Sequence, residues 1–196
     1  MKNGEIVNDL KTYIEKISLL DNIHQWEERD SVIKETVSQH SFKVASICLF
    51  ILEKIENKFE IKESFWLKFK YDCLKYAVLH DFDESILGRD ISHTVKYNKQ
   101  NGEKIRKELN WFVNCQIEEL NLDFLFNTDD DVRMFVKMCD WIALYSFILR
   151  NENMGVKTFK TEKQYCLQNI KSFIEKVSKF LENKYKLHLN YDEGNY

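Results

Sequence analysis

The sequence predicts an all-α protein, a single-domain helical bundle of about six to eight helices over residues 1–196. Three observations predict it. The chain has no Pro and only five Gly, so little in it breaks a helix. Leu, Ile, Lys and Glu are plentiful, which favours long helices joined by short polar connections. Apolar residues recur at spacings of three and four in one segment after another, the period of a helix buried along one face. A chain of 196 residues buries a good core within one domain.

Taken in order, residues 6–20 place Ile6, Leu10, Tyr13, Ile14, Ile17 and Leu20 on one face of a first amphipathic helix. Residues 22–30 have no sustained period and read as a turn or short helix, with Trp26 as an aromatic lid over the core. Thr36-Val37-Ser38-Gln39 is a capping box, so a helix starts near Val37. Along it His40, Val44, Ile47 and Ile51 follow at four, three and four, which turns His40 inward. Residues 63–79 form the next helix, with Phe65, Phe69, Cys73, Tyr76, Ala77 and His80 on its apolar face. A short turn at 85–87 leads to Gly88, where the chain can approach a ligand closely.

From Lys96 a charged stretch carrying Ile105, Leu109, Trp111, Phe112, Cys115, Ile117 and Leu120 reads as a partly exposed helix or helix pair. Thr128 and Asp129–Asp131 cap a further helix, their charges matching its positive end. Its stripe runs from Val132 to Phe147 and includes Asp140 within its span. A last helix packs over residues 161–185, and the polar tail 190–196 is expected to be mobile. The motif-bearing core is residues 26–150.

The bulk properties exclude several classes. A net charge of -3 and a pI near 6.0 do not suit a general binder of nucleic-acid polymers. No apolar run approaches the ~20 residues of a membrane span, and the polar start Met1–Glu5 is no secretion signal, so a cytoplasmic protein is expected. The five cysteines are scattered, without a CxxC pair, and read as small reduced core residues.

The chemistry lies in His40, the pair His80-Asp81 and Asp140, which three separate helices bring to an apolar interior. A lone inward histidine is usually a core residue, and a lone buried carboxylate costs several kcal/mol or is neutralised. Together they form a shell of two imidazoles and two carboxylates suited to one divalent metal ion: Co, Mn, Fe, Ni, Zn or Mg. At six-coordination two positions stay open for water and substrate. Glu84, one helical turn beyond His80, is within reach as a general base, and the reaction such a site performs easily is phosphate ester hydrolysis. No Ser or Cys stands in a triad-like setting and no Gly-rich phosphate loop exists, which excludes acyl-transfer and kinase chemistry.

The order His40, His80-Asp81, Asp140 is similar to that of the HD-domain metal-dependent phosphohydrolases. Its context is Ser38-Gln39-His40-Ser41, His80-Asp81-x-x-Glu84, Gly88-Arg89-Asp90-Ile91, Val95-Lys96-Tyr97 and Cys139-Asp140-Trp141. That context resembles the bacterial 5'-deoxynucleotidase branch and its phage relatives that hydrolyse dNTPs, over residues 26–145. The resemblance implies an HD-type bundle in which His40, His80, Asp81 and Asp140 hold the metal. Glu84 would orient or deprotonate the attacking water, and Asp90 would help protonate the leaving 5'-oxygen. Trp26 would pack against the sugar and leave no room for a 2'-hydroxyl, and Lys96 would hold a phosphate oxygen. Where the family commonly has Arg before the Trp, this chain has Gln25, so one phosphate contact is expected to be either missing or supplied by Arg89 or Lys99. The family's Gly-Asp pair is one residue longer here, Gly88-Arg89-Asp90.

The leading expectation is a 5'-deoxynucleotide phosphohydrolase releasing phosphate from dNMPs. The alternatives are a dNTP phosphohydrolase such as a dATP triphosphohydrolase, a hydrolase of a signalling nucleotide such as ppGpp, and a nucleotide sensor without turnover. Proteins of this resemblance are often homodimers or higher homo-oligomers, and their partners are small nucleotides rather than membranes or nucleic acid.

Overall fold

Capping chemistry and apolar spacing together set the helices of this computed structural model, which describes residues 3–27, 30–59, 61, 64–90 and 101–185. Among these residues the elements are α1 (Asn3–Leu19), α2 (Val37–Phe59), α3 (Ser64–Leu79), α4 (Asp83–Leu87), α5 (Gly102–Glu119), α6 (Asp123–Phe126), α7 (Asp130–Asn153) and α8 (Lys160–Tyr185). The capping box forms as predicted. The Gln39 amide donates to Thr36 Oγ1 at 3.3 Å, and the Thr36 amide donates back to Gln39 Oε1 at 3.1 Å. The tail 190–196 and Lys96 lie outside the described residues. None of the described helices is long and apolar enough to cross a membrane.

The core sits where α2, α3 and α7 meet, with α8 closing it. Val44, Cys48 and Leu52 of α2 pack with Phe69, Cys73 and Ala77 of α3, Phe135, Val136 and Cys139 of α7, and Val177 and Leu181 of α8. Phe69 ties the layers together, edge-on to Phe135 at 5.8 Å between centroids and against Phe180 at 5.3 Å. The three helices that share this core carry or lead into the polar residues singled out above, His40 in the first turn of α2, His80 just past α3 and Asp140 midway along α7, so burial of the apolar stripes brings those residues together.

Three expectations are corrected. Phe65 is 42% exposed, and Trp66 takes its place in the core at 1%. The Trp66 Nε1–H donates to Glu56 Oε2 of α2 at 3.2 Å, so its one polar atom is satisfied while the ring is buried. Leu10 and Ile14 are more than half exposed. Helix α1 meets the rest near α4, where Tyr13 stacks on Phe82 at 5.9 Å, and among the described residues nothing covers its outer apolar side chains. At the start of α7 neither Thr128 nor Asp129 caps through its side chain. Arg133 Nε donates to the Thr128 carbonyl at 3.3 Å, while Asp130 and Asp131 keep the expected charge in the first turn.

The segment before α2 is held from both sides. An isolated antiparallel bridge joins His24 to Thr36, with the Gln25 amide donating to the Glu35 carbonyl at 2.9 Å and the Val37 amide to the Ile23 carbonyl at 2.8 Å. Asn151 of α7 has no exposed surface, and its Oδ1 accepts from the Val32 and Ile33 amides at 3.0 Å each. Its Nδ2 donates to the Phe147 carbonyl at 3.2 Å. We expect Asn151→Ala, which strands those two backbone donors, to lower stability by about 1–3 kcal/mol in urea denaturation.

Candidate metal centre

The side chains of His40, His80 and Asp140 converge, each offering an atom within 4.8 Å of the others. His40 is in the first turn of α2, and its Nε2 lies 2.9 Å from Asp140 Oδ1, within hydrogen-bond distance. Asp140 lies midway along α7, on the edge of the stripe predicted for it, and its Oδ2 accepts from Lys137 Nζ at 2.6 Å. His80 sits just past α3, where its Nδ1 donates to the Ala77 carbonyl at 2.8 Å and so directs Nε2 into the cluster. Asp81 completes the group, its Oδ2 3.2 Å from His80 Nε2 and 3.9 Å from His40 Nε2.

The electrostatics follow from that proximity. Burial pulls the His40 imidazole toward neutrality, but the hydrogen bonds to Asp140 and Glu35 outweigh it and push its pKa up to about 10. Burial acts the same way on His80, and the negative charge of Asp81 outweighs it, raising that pKa also. Burial would raise the carboxylates, yet the charge of His80 holds Asp81 below the usual range, and Lys137 with His40 does so for Asp140. The two imidazoles and the two carboxylates thus stabilise one another's charged forms.

The donor set fits a divalent cation. His80 Nε2 is buried with Asp81 Oδ2 3.2 Å away but in no well-formed hydrogen bond, which leaves its lone pair open to a cation. Two imidazole nitrogens and two carboxylates also match ions of intermediate hardness.

The other predicted residues are placed as follows. Glu84, 3% exposed, lies in the first turn of α4, and its amide donates to the Asp81 carbonyl at 3.1 Å, so one tight turn holds both residues. Gly88 ends that helix at φ 72°, a left-handed position favouring glycine, with its amide on the Glu84 carbonyl at 2.8 Å. Asp90 Oδ2 accepts from the Trp26 amide at 3.1 Å, joining the turn after α4 to the segment before α2. Trp26 is half-buried, takes φ 58° and meets Phe159 edge-on at 6.4 Å. Gln25 Nε2 donates to Asp81 Oδ2 at 2.9 Å, so it fastens a candidate ligand in this structure. Arg89 is exposed, and Lys96 and Lys99 lie outside the described residues.

Two residues that sequence reasoning passed over also bear on the cluster. Lys137 pairs with Asp140, and the i,i+3 spacing on α7 is the signal that marks it. Glu35, 5% exposed, lies under His40, with Oε1 3.4 Å from Nδ1 and Oε2 paired with Lys43. In the sequence it reads only as an acidic residue ahead of a helix cap.

A cleft of about 360 Å³ opens beside His80, walled by Tyr76, Asp83, Asn110, Asn114 and Arg133 among others. Arg133 lies over the Tyr76 ring at 5.4 Å. Another hollow of about 450 Å³, lined by Asp30, Lys34 and Lys157, touches none of the candidate ligands.

Comparison with known proteins bears on this arrangement. The family model described as "5'-deoxynucleotidase YfbR-like" matches residues 12–186. No curated protein matches the chain in sequence. Among solved structures, the fold is similar to that of an HD-domain phosphohydrolase from Listeria innocua (TM-score 0.68, 19% identity, covering 89% of this chain and 86% of that one). A protein from Pyrococcus horikoshii gives a TM-score of 0.61 at 23% identity, covering 88% and 96%. One from Pyrococcus furiosus gives 0.54 at 23% identity, covering 85% and 97%.

Proposed function

We propose, from the premise that this chain belongs to the YfbR-like 5'-deoxynucleotidase family, that it hydrolyses the phosphate ester of 5'-deoxynucleotides with one divalent metal ion. The observation that carries the reading is the convergence of His40, His80 and Asp140 within 4.8 Å, with Asp81 beside them. Those four residues would hold the ion. When bound, it supplies Lewis acidity that lowers the pKa of water and offsets charge growing on the phosphoryl oxygens.

The remaining steps belong to the chain. Glu84, held by the turn that holds Asp81, orients the attacking water and takes its proton. The phosphoryl group leaves from the 5'-oxygen, and Asp90 supplies the proton that oxygen needs. Trp26, fixed through its amide to Asp90, packs against the sugar and excludes a 2'-hydroxyl. The cleft beside His80 has room for part of a nucleotide, with the polar groups of Asp83, Asn110, Asn114 and Arg133 set among apolar side chains such as Leu79 and Phe126.

The test is phosphate release from dAMP, dCMP, dGMP and TMP, and from AMP, with Mn, Co or Mg ions added. We expect dAMP to exceed AMP by about 10–100-fold in kcat/KM. Equal rates on the two turn the reading toward a ribose-bearing signalling nucleotide, and no turnover on any of them overturns it. A triphosphate substrate is the second reading, favoured by the Arg133 guanidinium lining the cleft next to His80 and by the exposed Arg89. Triphosphate or diphosphate release from dNTPs, in place of phosphate from dNMPs, decides between the two.

A further inference from the structure

The two histidines of the cluster are oriented by different means. His80 follows its own helix, and its Nδ1 donates to the carbonyl of Ala77 three residues back, an acceptor the backbone supplies without further design. His40 stands in the first turn of α2, and among the described residues its own helix supplies no acceptor for Nδ1. What faces that nitrogen is Glu35, whose Oε1 lies 3.4 Å away. That oxygen is buried, and apart from the imidazole no other group among the described residues pairs with it. The second oxygen of the same carboxylate is paired with Lys43, which lies one turn beyond His40 on the same helix. Residues 40 and 43 therefore clasp one carboxylate between them. The bridge from His24 to Thr36 and the Gln25 amide on the Glu35 carbonyl fix the backbone that carries it.

From this geometry, and resting on the reading of the cluster as a metal centre, we infer that Glu35 is a positioning residue that makes His40 a metal ligand through Nε2. A neutral imidazole has one nitrogen bearing hydrogen and one with a free lone pair. Nε2 of His40 points at Asp140 and Asp81, so the proton has to stay on Nδ1 for Nε2 to donate its lone pair to a cation. A carboxylate facing Nδ1 selects that tautomer, fixes the ring plane and makes the imidazole a stronger donor. Lys43, paired with the other oxygen, keeps the carboxylate aimed at the ring. The backbone carbonyl at His80 does the first two of these things but brings no full charge. His40 is accordingly the stronger nitrogen donor of the pair, and the site's affinity depends on a residue that never touches the ion.

Reach and charge are separated by two substitutions. Glu35→Gln keeps an oxygen at the same distance from Nδ1 without the charge, and Glu35→Asp keeps the charge but withdraws it by one methylene. Glu35→Ala removes both. The measurement is Co(II) affinity, from the visible absorption of the bound ion against a competing chelator, alongside circular dichroism and melting of the metal-free proteins. We expect Glu35→Ala and Glu35→Asp to weaken Co(II) binding about 10–100-fold, and Glu35→Gln, which keeps the acceptor in place without its charge, to recover part of that loss, with the metal-free fold retained in the Gln and Asp variants. Affinity within twofold of wild type in all three overturns the inference. So does the reverse order, Asp retained and Gln lost, because that assigns the effect to charge alone. Should Glu35→Ala fail to fold, the Gln and Asp pair decides by itself. Wild-type protein that binds no Co(II), Mn(II) or Zn(II) overturns the metal reading as well, whereas wild-type binding with unaffected variants overturns only the role of Glu35.

Discussion

Glu84→Ala is expected to lose two to four orders of magnitude in kcat while the protein still takes up its metal ion, the range that a positioned general base contributes. Glu84 is buried at 3% exposure and its amide is bonded to the Asp81 carbonyl, so truncation removes a carboxylate without releasing the turn that presents the candidate ligands. The effect therefore falls on the chemical step. Steady-state phosphate release together with Co or Mn titration measures both halves. A variant that turns over within tenfold of wild type removes Glu84 from the mechanism. A protein that only senses nucleotides would bind them equally well with or without this carboxylate.

Asp140→Asn is expected to cost both the ion and the activity. The Asp140 carboxylate receives His40 Nε2 at 2.9 Å and Lys137 Nζ at 2.6 Å, and it is held ionised well below its ordinary pKa. An amide of the same shape keeps the packing of α7 against α2 but brings neither the charge nor a second lone-pair oxygen. Residues that only orient a ligand are worth about 10–100-fold in affinity, and removing the ligand's own charge should exceed that. Dialysis against metal buffer followed by elemental analysis should find the variant without stoichiometric ion. Treating the wild type with a chelator should abolish turnover, and adding back Mn or Co should restore it. An Asn variant that retains its ion would move Asp140 out of the coordination shell.

Local signals told most of this architecture. The capping box at Thr36–Gln39 placed the start of α2 and, through spacing alone, turned His40 inward to 3% exposure. His80 and Asp140 were legible for the same reason, each sitting in register with an apolar stripe that the core required. Contacts made across the chain were not legible. Gln25 reads in the sequence as the lack of a cationic phosphate contact, but folded it donates to Asp81 across 56 positions. Glu35 gives no periodic signal because it precedes its helix, and the bridge that carries it is a single pair of residues. Phe65 and Trp66 are adjacent aromatics, so a small rotation of α3 decides which is buried, and a hydrogen bond to Glu56 decides it for Trp66. Leu10 and Ile14 have flawless helical spacing, yet nothing among the described residues covers them.

Asn151 links stability to catalysis over a distance. It is eleven positions beyond Asp140 on α7, about 16 Å along the axis at 1.5 Å per residue. From there it grips Val32 and Ile33, just ahead of Glu35 and Thr36. One rigid rod therefore serves as the common ruler for two candidate ligands that enter from different parts of the chain, Asp140 directly and His40 by way of the gripped loop. Loosening the grip at the far end slackens the spacing between them, so ion affinity should respond to a side chain that lies remote from the ion.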